Sequence, residues 1–144
     1  MATPVRVLVV LGVVLAVAAA VLGVLDARAD AREGDRTAAL TAARSHLADL
    51  GAASADPAAR RRALDGATGA WRDRLAAATT TDPTSTVVRS VGLEDLEGDT
   101  ARVLVVGLVG GGGDRGAGAG PFRVAVALFR ADDRWLVTDV AEVP

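Results

Sequence analysis

Residues 122–140 read FRVAVALFRADDRWLVTDV. Phe122, Val124, Val126 and Leu128 alternate with Arg123, Ala125, Ala127 and Phe129, the period of two that a strand with one buried face requires. Ala131-Asp132-Asp133 follows, a tight turn. The segment 134–140 is then a second strand, and so short a link pairs the two antiparallel.

Working outward toward the N-terminus, 100–109 (TARVLVVGLV) is a strand, nearly all β-branched or leucine after Arg102. Glu97-Gly98-Asp99 is the turn before it, and 86–93 is the first strand. Between the second and third strands lies 110–120, GGGGDRGAGAG. It lacks the Gly-Lys-Ser/Thr ending of a phosphate cradle and leads into a strand, so it is expected to be a hairpin loop.

Helical periodicity precedes the strands. Over 35–50, Leu40, Ala43, Leu47 and Leu50 form one apolar stripe, and Gly51 is a stop. Asp56-Pro57 is an N-cap followed by proline at the first helical position, opening a short helix over 58–65. A further helix is predicted over 67–78 with Trp71 and Leu75 on its inner face, and 79–85 is a linker. Leu40, Leu47, Trp71, Leu75, Phe122 and Trp135 are the expected core. The order predicts one α+β domain, helices covering one face of a four-stranded antiparallel sheet.

Residues 7–25, VLVVLGVVLAVAAAVLGVL, carry no charge. Nineteen residues at ~1.5 Å each would approach the ~30 Å hydrocarbon core of a bilayer, and the apolar residues fall all round the helix. Val7, Leu8, Leu11, Val14, Leu15, Val21, Leu22 and Leu25 are therefore expected to anchor the chain. A cleaved secretory signal, cut after Ala29, is the competing reading. The chain divides into a tail (1–6), a transmembrane signal-anchor helix (7–25), a juxtamembrane and first domain helix (26–55), and short helices with the sheet (56–144). Arginines on both sides of the span leave its direction open.

Composition narrows the chemistry. All 16 basic residues are arginine, and there is neither cysteine nor tyrosine. All 18 acidic residues and all but one arginine lie past residue 25, so no basic surplus favours nucleic acid there. Thiolate metal sites are excluded. His46, the only histidine, is expected at the boundary of its helix stripe, with Asp49 at i+3 within reach. The carboxylates Glu94, Asp95, Glu97 and Asp99 are expected to be turn residues, with no EF-hand spacing to make a metal site. Arg60, Arg61 and Arg62 form a basic patch on a short helix, expected to be a solvated face, with contact to anionic headgroups or an acidic partner as the functional alternative. Neither a cofactor nor an enzymatic activity is expected, and the oligomeric state is left open.

Thr68-Gly69-Ala70-Trp71-Arg72-Asp73-Arg74-Leu75, Phe122-Arg123-Val124 and Asp133-Arg134-Trp135-Leu136-Val137-Thr138-Asp139-Val140 together resemble the actinobacterial Mce-associated membrane proteins. The resemblance implies a cystatin-like cone of the nuclear transport factor 2 type. It implies a single-pass protein of the cytoplasmic membrane, with the domain on the extracytoplasmic side. It further implies a non-enzymatic accessory role, stabilising an envelope lipid or sterol import complex through contacts with its subunits. The alternative it suggests is a cone cavity that binds lipid or a small apolar ligand. The glycine-rich loop departs from the family pattern.

Overall fold

The computed structural model describes residues 3–78, 84–111 and 120–144, with side chains over 16–78, 85–110 and 120–144. Three helices precede four strands: α1 Thr3–Ala52, α2 Pro57–Asp65, α3 Gly69–Ala77, β1 Thr84–Glu97, β2 Thr100–Gly111, β3 Gly120–Ala131 and β4 Arg134–Glu142. The strands form one antiparallel sheet in the order β1-β2-β3-β4. The chain falls into two compact units, Met1–Asp35 and Arg36–Pro144.

In the second unit, helices cover one face of the sheet. Val103, Val105, Val126 and Val137 are fully buried there, joined by Leu128, Trp135 and the α1 residues Ala39, Ala43 and Leu47. Leu40, Trp71 and Phe122 pack partly buried against this core, and Leu75 is half-buried. α1 comes close to β1 at Gly51, where a Cβ would lie 2.5 Å from that of Thr86. Only a residue without a side chain fits that approach.

Local chemistry sets the element ends. Asp56 caps α2 by accepting a hydrogen bond from the Ala58 N–H at 2.8 Å, with Pro57 at the first helical position. α3 starts at Gly69, two residues later than its sequence pattern suggests, because Gly66–Thr68 backbone is used elsewhere. Thr68 N–H donates to the Val137 carbonyl, and Val137 N–H donates to that of Gly66. This short parallel bridge covers one edge of the sheet, at β4. Asp132 and Asp133 both have positive φ, 49° and 59°, the conformation that a two-residue hairpin turn demands.

The expected membrane span is corrected. Among the described residues no helix is long and apolar enough to cross a membrane. The described side chains of the apolar run cover residues 16–25, about 15 Å at ~1.5 Å per residue, half of a ~30 Å hydrocarbon core. Asp26, Arg28, Asp30 and Arg32 follow at once. Val21, Leu22 and Leu25 are exposed, whereas the expectations at Val7, Leu8, Leu11, Val14 and Leu15 fall outside the described side chains. The structure thus supports α+β with three helices and a four-stranded sheet. It does not support a transmembrane helix, a signal anchor, a bilayer as partner, or a single-pass location in the cytoplasmic membrane. Residues 79–83 of the linker and 112–119 of the glycine-rich loop also lie outside the described residues.

Candidate functional site

His46 is where the sequence expectation and the structure part most clearly. It is not a boundary residue: it is 4% exposed, the one buried charged or polar residue of the described domain. Its Nε2 accepts a hydrogen bond from the Trp71 indole N–H at 2.9 Å. Accepting at Nε2 places the proton of the neutral ring on Nδ1, which is buried with no hydrogen-bond partner. Gly66 leaves room beside it; a Cβ there would stand 3.4 Å from Nδ1.

Burial lowers the His46 pKa from 6.5 to about 4, because the cationic ring would lose its hydration; the nearby Asp49 carboxylate pulls weakly the other way. Asp49 does not orient the ring. It accepts instead from Arg62 Nε at 2.8 Å. The indole continues the connection outward. The Arg74 guanidinium lies over the Trp71 ring, 5.1 Å from its centroid, and forms an ion pair with Asp139. The series His46–Trp71–Arg74–Asp139 thereby ties α1 to α3 and α3 to β4. Trp135 receives a similar cover from Arg130, at 5.6 Å.

The arginine patch is divided among different tasks. Arg60 Nη2 reaches the carbonyl of Ala78 at 3.0 Å and those of Leu75 and Ala76 at 3.5 Å, satisfying acceptors that the end of α3 leaves open. Arg62 bridges Asp49 and Asp56. Arg61 is exposed. The acidic residues near the first hairpin are also divided: Glu94 pairs with Arg102 at 2.7 Å and Asp99 with Arg130 at 3.0 Å. Among the described residues no three His, Asp or Glu side chains gather as a metal site.

At the far end of the sheet, Leu47, Leu50, Gly51, Thr86, Val109, Phe122, Val124 and Glu142 line an open groove of about 300 Å³. It is a surface depression between the end of α1 and the sheet. The cone cavity expected to bind lipid or a small apolar ligand is corrected accordingly: among the described residues this depression gives no evidence of such a ligand-binding cavity.

No family model matches the chain, and no curated protein matches it. The resemblance to Mce-associated membrane proteins is therefore withdrawn, and with it the accessory role in an envelope lipid or sterol import complex. The residues that suggested it have local explanations. Trp71 and Arg74 belong to the His46 series, Trp135 and Val137 fill the core, and Asp139 pairs with Arg74. Sequence reasoning missed the His46–Trp71 bond because 25 residues separate the partners. One signal was present: a helix stripe with its histidine next to Leu47, and a single tryptophan on the neighbouring short helix.

Proposed function

We propose that Arg36–Pro144 is a non-enzymatic module that acts by contact. The observation that carries this reading is the state of His46, the chain's only histidine. A general base needs an open lone pair within reach of substrate. The His46 lone pair at Nε2 is taken by Trp71, and the ring is shut away from solvent. What the fold leaves open is backbone: β1 ends the sheet order, and its outer edge carries hydrogen-bonding groups that no described strand takes up.

The test is an activity screen of the full chain against esters, phosphomonoesters and glycosides, beside His46→Gln and Trp71→Phe. The expected result is no turnover that either substitution abolishes. Turnover that His46→Gln removes while tryptophan fluorescence still reports a folded protein would overturn the reading.

A further inference from the structure

The edge strand β1 carries two irregularities. Its register against β2 shifts between Val88 and Ser90 and again between Leu93 and Asp95, so Arg89 and Glu94 are the extra residues of two bulges. Charged bulges are an ordinary way to discourage edge-to-edge pairing. Here they bracket a regular stretch, Ser90-Val91-Gly92-Leu93, that carries no charge and no proline. Val91 pairs with Val105 and Leu93 with Val103, both buried, so Val91 and Leu93 share the helix-covered face. Ser90 and Gly92 share the other.

From these placements we infer that β1 pairs antiparallel with β1 of a second copy, Gly92 opposite Gly92, joining two four-stranded sheets into one of eight. The register follows from the sequence. Paired residues must lie on the same face of a continuous sheet, which removes every second register. With Gly92 on the two-fold axis, Val91 stands opposite Leu93 of the second copy, apolar against apolar on the covered face. Arg89 then stands opposite Asp95 of the second copy, and the pair occurs twice by symmetry. Neither Arg89 nor Asp95 has an ion pair among the described residues of its own chain. Moving the axis to Val91 sets Val88 against Glu94; moving it to Leu93 sets Val91 against Asp95. Of these three axes, the one at Gly92 matches both charge and hydrophobicity. At the other edge, the bridge from Ala67 to Val137 obstructs the equivalent pairing.

This rests on the contact reading above and names its partner. The two fail separately: a monomeric chain removes this inference alone, and His46-dependent turnover removes that reading alone.

Gly92 provides the direct test. A Cβ at Gly92 meets nothing within 4 Å, and the native chain has no cysteine. Across an antiparallel pair the two Cα atoms are about 4.5–5.5 Å apart, within disulfide range. The full-length Gly92→Cys chain should therefore form a disulfide-linked dimer on mild oxidation. Ser90→Cys should not, since its two copies are offset by four residues, about 13 Å. Light scattering over a concentration series should show twice the 14.5 kDa chain mass. Arg89→Asp and Asp95→Arg should each weaken self-association about tenfold, because like charges then oppose one another twice, and the double variant should recover it. A one-chain mass throughout, cross-linking at Ser90→Cys in preference to Gly92→Cys, or association that neither single reversal weakens would each overturn the inference.

Discussion

His46 is a neutral imidazole that folding removes from water, and its pKa gives the sign of a pH effect. Above about pH 6.5 the ring is neutral in the folded and unfolded chain alike, and the bond from Trp71 contributes in full. Between 6.5 and about 4 the unfolded chain takes up a proton that the folded chain refuses, so stability falls as pH falls. Below about 4 the loss levels off, having reached about 3 kcal/mol for a shift of this size. Urea titrations from pH 7.5 to 4 should show this slope, and His46→Gln should flatten it; an unchanged slope in the variant would assign the effect to another group. The Trp71 partnership makes a second claim at this scale. Trp71→Phe leaves Nε2 buried without its donor, a cost of about 1–3 kcal/mol, and His46→Leu strands the indole N–H on a half-buried ring. The double variant removes both polar groups together, so it should cost less than the sum of the singles, and a double-mutant cycle by denaturation measures the difference.

Among the elements, those whose residues carry their own instructions were legible in the sequence. Asp56-Pro57 states a helix start, and alternation from Phe122 onward states a strand; both are local and both stand in the structure. What was not legible depends on distant partners. The start of α3 moves to Gly69 because Gly66 and Thr68 bond Val137, a neighbour only after the sheet forms. The bulges of β1 follow from its fit to β2, and no residue in TSTVVRSVGL announces them. Glycine roles divide in the same way and can be tested. Gly51→Ala places a methyl 2.5 Å from Thr86 Cβ and should cost about 1–3 kcal/mol by forcing α1 from β1. Gly92→Ala meets nothing within 4 Å, and a β strand holds alanine better than glycine, so its thermal midpoint should hold or rise. The hairpin between β3 and β4 offers the opposite case. Asp133 holds φ at 59°, which glycine adopts without strain, so Asp133→Gly should raise stability by about 0.5–1 kcal/mol. A lowered midpoint in that variant would show that the Asp133 side chain does something the turn geometry does not require.

Among the described residues of Arg36–Pro144, helices cover one face of the sheet and none covers the other, and adjacent valines report the difference. Val105 is fully buried under the helices, whereas Val106, the next residue on β2, is 39% exposed on the opposite face. Leu104 on β2, Phe129 on β3 and Val87 on β1 are further exposed large apolar residues of the sheet. An eight-stranded sheet formed through the β1 edges extends both faces sideways and lays nothing on the outer one. Burial of Val106 should therefore be as incomplete in the assembled protein as in the single chain. Val105→Ala removes two methyl groups from a packed site and should cost about 2–3 kcal/mol, transfer and cavity terms together. Val106→Ala loses only partly covered surface, together with some strand propensity, and should cost under about 1 kcal/mol. Both variants are to be unfolded in urea at a protein concentration where the parent chain is self-associated. A gap above about 1 kcal/mol between these neighbours means the outer face is bare in solution. Equal costs would mean that something lies on that face, an arrangement the edge-to-edge assembly does not produce, and would point to face-to-face stacking of sheets in its place.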